Sequence, residues 1–440
     1  MDKQHTSAPV AWNNVNSTHG KECAMRQLRG LRVQGVSTKS RLLVTASAPR
    51  PPEARHVDVL GAGFAGVAVT YFLLSQAATR GTALSVRLLD AKGIGGGASG
   101  VAAGLLNPFS ARGDVPLWRG VEGCAATERL LEVAEKALGS PVSCTAGSLH
   151  PHKKKHAAAP SSSAAAGSSC EKLSAQEAAK HLPGLLLPLT TPGVDFYARG
   201  RVVNAQAYLD GLWAACQDVE RDAQGRVSVE LVQHRVSSLQ QLADGGAEDV
   251  VVCAGAAATL LPELAHLPLT TSGGHIVVLA PQSPDAQHLA SHAPALMLPS
   301  SGYVAPTGDG TIVIGATKVY GVHPNDSFGA GTVPLSDAGA AAAADALLPP
   351  ARTCLPPLAD YTVRAIKWGV RALPPRTQLG ALPLVGQVTE SERAARTWVF
   401  AGLGARGLVY HALLAEELAH AVLTRDAVGL PQECSPGKPG

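Results

Sequence analysis

The sequence predicts an α/β fold in which a doubly wound parallel-sheet domain carries an inserted domain built on an antiparallel sheet. The first domain is indicated by residues 57–79, where an apolar strand, a glycine turn and an apolar helix follow one another, and by the strand SVRLLD at 85–90. The second is indicated by TSGGHIVVL at 271–279 and GYVAPTGDGTIVIGAT at 302–317, which have the pattern of paired strands around a Gly-Asp-Gly turn. A chain of 440 residues is long enough for two such domains.

The glycines also argue against a membrane span. Residues 59–79 contain no charged side chain and approach the length that crosses a bilayer. Because Gly61, Gly63 and Gly66 interrupt this stretch directly behind a strand, we expect a strand, a turn and a helix in place of one continuous helix.

The composition is that of a soluble globular protein, with 46% hydrophobic and 16% charged residues. The eight cysteines are scattered, without a Cys-x-x-Cys pair or a neighbouring histidine at zinc spacing. We therefore expect reduced thiols, no disulfide framework and no metal site.

The first 50 residues differ from the rest of the chain. Residues 25–52 contain no acidic residue, and six Lys or Arg residues lie there among Ser, Thr and apolar residues. This composition is typical of a transit peptide. We expect residues 1–50 to be a disordered, removable leader that directs the protein to an organelle, a chloroplast in preference to a mitochondrion. The alternative is an unstructured basic tail.

Without the leader the chain is slightly acidic. Residues 1–50 hold 8 basic and 2 acidic residues, which leaves 29 basic residues (37 less 8) against 32 acidic ones (34 less 2). Proteins that bind RNA or anionic membranes carry the opposite charge, at least as a patch. A nucleic-acid partner is therefore not favoured.

The segment VDVLGAGFAG at 57–66 is typical of the dinucleotide-binding turn of a Rossmann-like domain. Gly61 permits the tight turn from strand to helix, Gly63 lets the backbone approach a pyrophosphate, and Gly66 lets the helix pack on the strand. The helix N-terminus attracts the anion through its unpaired N–H groups and its dipole. Asp90 ends the next strand near the spacing expected for an acid that binds ribose hydroxyls, and its charge disfavours NADP.

The loop after that strand favours FAD over NAD. It is GIGGGASGVAAGLLNP at 93–108, and a flavin that lies deep in a protein needs small residues where the backbone passes its diphosphate and ring. A nicotinamide site does not require such a loop. The alternative is a flexible linker, but the apolar Leu105 and Leu106 and the following Pro108 favour a packed path.

Together, GAGFAG, Asp90 and GGGASGVAAGLL resemble the FAD-dependent amino-acid-oxidase family, which includes glycine oxidase, sarcosine oxidase and D-amino-acid oxidase. The resemblance continues along nearly the whole chain after residue 56. EDVVVCAGAAATLL at 248–261 is similar to the family's second nucleotide-domain strand, turn and helix.

Two C-terminal segments carry the most specific part of this resemblance. WGVRALPPRTQLGALPLVG at 368–386 is similar to the family's substrate-arginine segment, and WVFAGLGARGLVYHALLAEELAHAVL at 398–423 to its final turn and helix. Within the family, GLGARGL is most similar to the oxidase half of the bacterial bifunctional enzyme that finishes 5-methylaminomethyl-2-thiouridine in tRNA. Plant and algal FAD-dependent oxidoreductases look similar too.

The resemblance implies a set of cofactor contacts. The adenosine, the diphosphate and the flavin edge would be held by the glycine turn, the strand end and the small-residue loop: Gly61, Gly63, Ala65, Gly66, Asp90, Ala98, Ser99, Gly104 and Leu105. Val236, on the predicted strand VQHRV, would meet the adenine through its backbone. The helix that follows would direct its dipole at the charge that grows on the isoalloxazine, which would lie against Gly404, Ala405, Arg406, Gly407 and Leu408.

The resemblance assigns Arg371 to the substrate carboxylate, because a planar guanidinium holds both oxygens. The alternative is an ordinary surface ion pair. The sequence RALPP from Arg371 onward departs from the family's Arg-Pro and Thr-Pro-Asp-Gly pattern, which leaves substrate size open. His275, Tyr410 and His411 are further candidates for contact with substrate or flavin, with packing in the core as the alternative.

The same resemblance implies a discontinuous organisation. The FAD-binding domain is assembled from residues 55–115, 195–270 and 365–430, and the substrate domain from 116–194 and 271–364. We also expect a disordered loop at 151–170 and a tail at 431–440.

The implied activity is that of an enzyme acting on the CH–NH or CH–NH2 group of a small amine or amino acid. Hydride transfer from the carbon next to an uncharged amine onto the flavin gives an imine that water hydrolyses, and oxygen is the expected acceptor. Two alternatives stay open: an oxidase for the carboxymethylaminomethyl group of wobble uridine in tRNA, and a flavoprotein that aids complex assembly without turnover. The presence of Arg371 counts against the second.

Overall fold

The computed structural model describes residues 54–110, 116–152, 170–284, 286–300, 302–389 and 395–437. The predicted leader at 1–50 lies outside these residues, as does most of the predicted loop at 151–170. Both therefore stay predictions.

The strands are, in chain order, β1 Arg55–Leu60, β2 Leu84–Asp90, β3 Leu105–Leu106, β4 Ser143–Cys144, β5 Ser148–Pro151, β6 Cys170–Leu173, β7 Val194–Tyr197, β8 Arg201–Val203, β9 Val227–Gln233, β10 Asp249–Val252, β11 Thr270–Pro281, β12 Ala295–Met297, β13 Tyr303–Pro306, β14 Ile312–Gly315, β15 Val319–Tyr320, β16 Gly331–Val333, β17 Tyr361–Leu373, β18 Arg376–Thr377, β19 Gly380–Ala381, β20 Leu384–Thr389 and β21 Arg396–Ala401. The α-helices are α1 Phe64–Arg80, α2 Gly120–Leu138, α3 Ala175–His181, α4 Ala205–Asp222, α5 Gln240–Asp244, α6 Gln287–His292, α7 Ala338–Cys354 and α8 Gly407–Thr424.

The first sheet is the doubly wound one that the sequence predicts. Its strand order is β20-β21-β10-β1-β2-β9, with β20 antiparallel to its neighbour and the other strands parallel. Val57 of β1 lies opposite Asp249 of β10 and Val86 of β2, and this central position buries β1, whose one internal carboxylate, Asp58, is hydrogen-bonded by Arg87 of β2. The parallel strands end at a common edge, so the turn after Leu60 and the loop after Asp90 start side by side.

Helices α1, α2, α4 and α8 pack together against this sheet. The residues of α1 that contact the sheet are small or apolar, and a left-handed Gly81 ends the helix, as is common at helix C-termini. Helix α2 lies in the segment 116–194 that the sequence assigned to the substrate domain. In the structure it packs against α4 and α8, and the hydroxyl of Thr127 donates to the carbonyl of Leu408 at 2.5 Å.

The second sheet is largely antiparallel, with the order β16-β17-β11-β14-β13-β12-β5-β7-β6 and β15 paired to β11. The predicted hairpin around the Gly-Asp-Gly turn is confirmed, since β13 and β14 pair with Val304 opposite Ile314. Strands β11 and β17 pair along their whole length, which places Ser272 opposite Arg371. Strands β7 and β17 run across the expected domain boundaries near residues 195 and 365, and the predicted division stays a prediction.

One expected element has a different form. After β10 the chain makes a 3-10 helix, Gly255–Leu260, where the sequence predicted the family's α-helix. Pro262 follows almost at once and lacks the N–H that a longer helix would need, so the segment stays short.

Two further observations concern the C-terminus and the membrane. Within the predicted tail, Gln432–Cys434 forms a short 3-10 helix that buries Cys434.

No helix in the part of the chain that the structure describes is long and apolar enough to cross a membrane.

Candidate active site

A cavity of about 1650 Å³ lies where the carboxyl edge of the first sheet meets the second sheet. Its lining comes from the glycine turn, the loop 93–108, the loop after β9, strands β11 and β17, and the turn before α8. Pockets for single small molecules hold about 300–1000 Å³. This cavity is therefore large enough for an extended cofactor together with a substrate.

The glycine turn at the start of α1 depends on the absence of side chains. Gly61 has a φ of +105°, and a Cβ on it would lie 2.5 Å from the carbonyl oxygen of Cys253. A Cβ on Gly63 would lie 2.7 Å from the hydroxyl oxygen of Ser99, and one on Gly66 only 1.7 Å from the carbonyl oxygen of Gly61. Gly61, Gly63 and Ala65 line the cavity, whereas Gly66 serves the packing of helix on turn.

Asp90 lies at the cavity wall with its carboxylate held by backbone. One carboxylate oxygen accepts from the N–H of Ala62 at 2.9 Å, and the other from Lys92 at 2.7 Å and Gly93 at 3.0 Å. A carboxylate has further acceptor capacity, which leaves room for a ribose hydroxyl. The ammonium of Lys92 donates to the carbonyl of Ala330, so it is already engaged with the segment that follows β15.

The loop 93–108 is packed against the protein, which excludes the flexible-linker alternative. The N–H of Gly95 donates to Ala62 at 2.9 Å, and the hydroxyl of Ser99 accepts from the N–H of Phe64 at 3.0 Å. A Cβ on Gly104 would lie 1.8 Å from the carbonyl oxygen of Val203. Ala98, Ser99, Gly104 and Leu105 all line the cavity, as the resemblance implied.

The adenosine end of the cavity shows one correction and one contact that the sequence did not reveal. Strand β9 ends at Gln233, so Val236 lies in the following loop rather than on the predicted strand, although it does line the cavity. The guanidinium of Arg235 stacks 3.9 Å from the ring centre of Phe328 and donates to the side chain of Asn325 at 2.9 Å. Both partners belong to a 3-10 helix of the segment between β15 and β16.

The turn before α8 reaches the same cavity. Gly404 has a φ of +54° and donates its N–H to the carbonyl of Ala372 at 3.0 Å. Arg406 is the residue directly before α8 and donates to the carbonyl of Phe109 at 3.1 Å, while burial lowers the pKa of its guanidinium. The structure places the whole predicted set, Gly404, Ala405, Arg406, Gly407 and Leu408, at the cavity wall.

Arg371 lies on β17 and lines the cavity. Its guanidinium nitrogens are 3.3 and 3.5 Å from where a Cβ of Gly274 would stand, so the glycine of the neighbouring strand makes room for it. Among the described residues Arg371 has no acidic partner within ion-pair distance. Tyr303 lies near it, and burial raises the pKa of this phenol to about 12 against the opposing charge of Arg371.

Three candidate residues do not reach the cavity. His411 is completely buried, bonded to the hydroxyl of Tyr208 at 2.7 Å and to the carbonyl of Gly407 at 3.0 Å, and burial lowers its pKa to about 4. Tyr410 is buried beside it in the helix core. His275 packs on Trp368, because it alternates with the cavity-lining Gly274 along β11. The packing alternative therefore holds for all three.

A polar cluster at the second sheet was not predicted. Asp195 is buried at the cavity wall and accepts from Lys172 at 2.6 Å and from His152 at 2.8 Å. His150, on the neighbouring strand, is 3% exposed, and burial lowers its pKa to about 4. These residues come from separate strands, so only the sheet register brings them together.

The residues from the glycine turn to Arg371 fit FAD. The glycine turn offers a cradle that a Cβ would fill, Asp90 offers acceptor capacity at the ribose position, and the cavity extends from there to Arg371. Among the described residues, no group of three or more His, Cys, Asp or Glu side chains is arranged to hold a metal ion.

The fold and the site are those of a dinucleotide-binding oxidoreductase with one large cavity at the carboxyl edge of its parallel sheet. The family model described as FAD dependent oxidoreductase matches residues 56–421, and the chain belongs to this family. The predictions of an FAD-dependent enzyme and of its family are confirmed.

Two curated relatives are the tRNA 5-methylaminomethyl-2-thiouridine biosynthesis bifunctional proteins of two bacteria. That of Maricaulis maris is 27% identical over 371 residues, which cover 82% of this chain and 51% of the relative. That of Methylobacillus flagellatus is 30% identical over 394 residues, which cover 83% of this chain and 55% of the relative. The chain therefore spans about half the length of these relatives.

Solved structures of the same fold include three enzymes. Glycine oxidase from Geobacillus kaustophilus has a TM-score of 0.66 at 18% identity, covering 87% of this chain and 99% of its own. Iminodiacetate oxidase from Chelativorans sp. BNC1 has a TM-score of 0.63 at 22% identity, covering 87% and 100%. L-proline dehydrogenase from P. horikoshii has a TM-score of 0.62 at 15% identity, covering 88% and 98%.

Proposed function

We propose that the protein oxidises the carbon–nitrogen bond of a small amine or amino acid that carries a carboxylate. The observation that carries this proposal is Arg371, a guanidinium at the cavity wall to which the described residues offer no carboxylate. A guanidinium without a counter-charge is a ready binding group for a carboxylate that arrives with the substrate.

Arg371 and Tyr303 would orient the substrate. The guanidinium holds both carboxylate oxygens, and the phenol stays protonated over the whole physiological range because its pKa is raised, so it serves as a hydrogen-bond donor. Fixing the carboxylate fixes the adjacent carbon, which is the one that must lose a hydride. When bound, FAD supplies the acceptor for that hydride.

The balance of the reaction follows from simple chemistry. The amine must reach the site uncharged; it loses a hydride from carbon and a proton from nitrogen and becomes an imine. Water then adds to the imine and releases a carbonyl compound and ammonia or a smaller amine. We propose oxygen as the final acceptor of the two electrons, which with two protons gives hydrogen peroxide.

The named structures of the same fold support this choice of substrate class. Glycine, iminodiacetate and L-proline, after which three of them are named, are all small amines that carry a carboxylate.

An anaerobic titration tests the proposal. The full-length protein, loaded with FAD, would be mixed with glycine, sarcosine, D-alanine, L-proline and iminodiacetate in turn, and the flavin absorbance followed. We expect at least one of these amines to bleach the flavin and, after admission of air, to yield hydrogen peroxide. A protein that retains its flavin but is bleached by no amine would contradict the proposal.

A second candidate function has support from the curated relatives, both of which are tRNA-modifying proteins. In that case the substrate would be the carboxymethylaminomethyl group of a wobble uridine, which is also an amine carrying a carboxylate. Bleaching by tRNA that carries this group, with no bleaching by the free amines, would favour it. The third possibility, a flavoprotein without turnover, finds no support in a cavity that keeps Arg371 accessible.

We also propose that the leader directs the protein to an organelle, a chloroplast in preference to a mitochondrion. The support is the basic, acid-free composition of residues 25–52, which lie outside the described residues. Residues 1–50 fused to a fluorescent protein would be located in algal or plant cells. Diffuse fluorescence in the cytoplasm would contradict this proposal.

A further inference from the structure

The cavity has a large excess of positive charge. Among the described residues that line it, there are two carboxylates, those of Asp90 and Asp195, against six cationic side chains: Lys92, Lys172, Arg235, Lys318, Arg371 and Arg406. The diphosphate of FAD would balance part of this excess, since each of its phosphates carries one negative charge. A cleft with charge of one sign attracts a ligand of the opposite sign. The remainder therefore points to a substrate with more than one negative group.

Most of these cations already have a partner. Lys172 is paired with Asp195, Lys92 with a backbone carbonyl, and Arg235 with Asn325 and Phe328 at the adenosine end. The side chain of Lys318 is exposed. Arg371 and Arg406 remain as half-buried guanidinium groups at the cavity wall without a carboxylate partner among the described residues.

Arg406 has the surroundings of an anion-binding group. Among the described residues its guanidinium makes one hydrogen bond, to the carbonyl of Phe109, and it has several more donors to offer. It stands directly before α8, where the unpaired N–H groups of the helix add positive potential.

The two arginines lie on segments of the cavity wall that are joined by a backbone hydrogen bond. The N–H of Gly404, two residues before Arg406, donates to the carbonyl of Ala372, the residue after Arg371. This hydrogen bond fixes the turn that carries Arg406 to the strand that carries Arg371. Both residues line the same cavity, and a ligand that binds both must span from one guanidinium to the other.

We propose that the substrate is an amine bearing two carboxylates, of which Arg371 binds the one next to the reacting carbon and Arg406 binds the second. This inference rests on the proposed amine oxidation. A substrate with a single carboxylate would leave Arg406 half-buried without a counter-charge, and an unpaired desolvated charge is unfavourable.

A binding experiment with redox-inert acids tests the two-anion site directly. Perturbation of the flavin absorbance would measure the Kd of matched acids that differ by one carboxylate: acetate and malonate, propionate and succinate, butyrate and glutarate. We expect the dicarboxylate of at least one pair to bind roughly 10- to 100-fold more tightly, the range expected for one added charge-assisted hydrogen-bonded pair.

Variants then show which residue is responsible for the tighter binding of the dicarboxylate. Arg406→Met should weaken binding of the dicarboxylate much more than binding of the monocarboxylate, whereas Arg371→Met should weaken both. Arg406→Lys keeps the charge without the planar fork and should retain part of the preference. Arg129→Met removes an exposed arginine outside the cavity, paired with Glu416, and should change neither Kd. Flavin content and unfolding temperature would be measured for each variant. If Arg406→Met does not fold, the Kd values of Arg406→Lys are used to test the role of Arg406.

Two outcomes overturn the proposal. One is equal affinity for both members of every pair. The other is an equal loss of both classes of acid in Arg406→Met and Arg406→Lys together with loss of flavin, which would assign the side chain to the cofactor.

Turnover separates this inference from the function on which it rests. Sarcosine and iminodiacetate differ by one carboxylate, as do alanine and aspartate. Faster bleaching by the dicarboxylates, lost in Arg406→Met, supports the inference. Bleaching by the monocarboxylates alone overturns the inference and leaves the proposed function standing. If no amine bleaches the flavin, the proposed function fails, and the binding experiment still decides whether the site takes two anions.

Discussion

The hydroxyl oxygen of Ser99 accepts a hydrogen bond of 3.0 Å from the backbone N–H of Phe64, the first residue of α1. A residue from the loop after β2 thus caps a helix that begins 35 positions earlier in the chain. The cap holds the small-residue loop against the helix N-terminus, which is where the diphosphate of a dinucleotide is expected.

Ser99→Ala should therefore weaken FAD binding. Loss of a capping hydroxyl costs about 1 kcal/mol, and the loop loses a contact to the diphosphate-binding end of the helix. We expect the Kd for FAD, measured by fluorescence titration, to rise roughly 5- to 10-fold. Ser75→Ala on the same helix, whose hydroxyl only bonds the backbone of its own helix, should leave the Kd unchanged. An unchanged Kd in Ser99→Ala would contradict the role of the cap.

Gly63→Val should abolish flavin retention. The first added carbon would stand 2.7 Å from the Ser99 hydroxyl, so the loop would have to move away from the helix N-terminus. The measurement is the ratio of flavin to protein absorbance after purification, which we expect to fall close to zero. Gly429→Val is the matched control, because a Cβ there meets open space. A Gly63→Val protein that stays yellow would show that the turn does not hold the cofactor.

The glycine turn could be predicted from the sequence because its parts lie within residues 57–66 and its chemistry is local. Of the pair Arg371 and Tyr303, the sequence predicted only the arginine. The tyrosine lies on another strand, and only the sheet register shows that the two are neighbours. His411 was a false candidate for a related reason. Its place in the sequence, at the start of α8, suggested a position near the cavity. Its side chain lies on the face of α8 that points to Tyr208 in the core.

Arg371→Leu should raise KM for carboxylate substrates and spare the flavin. The variant removes the group that holds the carboxylate, while the glycine turn and Asp90 stay intact. We expect kcat/KM to fall roughly 10- to 100-fold, with flavin content unchanged. Arg129→Leu, which removes an exposed arginine outside the cavity, should leave both quantities unchanged. Unaltered kinetics in Arg371→Leu would remove the residue from substrate binding.

Stability should fall as the pH is lowered from about 6.5 to about 4. Burial lowers the pKa of His150 and of His411 from 6.5 to about 4, so between these values the unfolded chain binds more protons than the folded one. The free energy of unfolding should therefore rise as the pH increases from about 4 to about 6.5. Above pH 6.5 these two histidines should make no further difference to it. Urea unfolding at a series of pH values measures the slope, which should be smaller in His150→Asn. A slope identical to that of the parent protein would show that His150 titrates normally.

The carboxylate of Asp58 acts in a lower window. The pKa of Asp58 lies below its usual value of 3.8 because hydrogen bonds from His56 and Arg87 outweigh the effect of burial. Its contribution is present above that value and is lost only as the pH falls further, so it does not mask the histidine effect.

Phe328→Ala should speed the release of FAD. Phe328 and Asn325 belong to the 3-10 helix Pro324–Gly329, and they contact Arg235 of the loop that also carries Val236 at the adenosine end. Lys92, bonded to the carbonyl of Ala330, fixes the same segment to the loop after Asp90. Because these contacts join the two sides of the cavity at the end where we expect the adenosine, their loss should raise the rate of FAD dissociation, measured as the recovery of free-flavin fluorescence after dilution, more than the rate of FAD binding. Phe72→Ala, on the outer side of α1 away from the cavity, is the control. Equal dissociation rates in Phe328→Ala and the parent protein would show that the segment does not retain the cofactor.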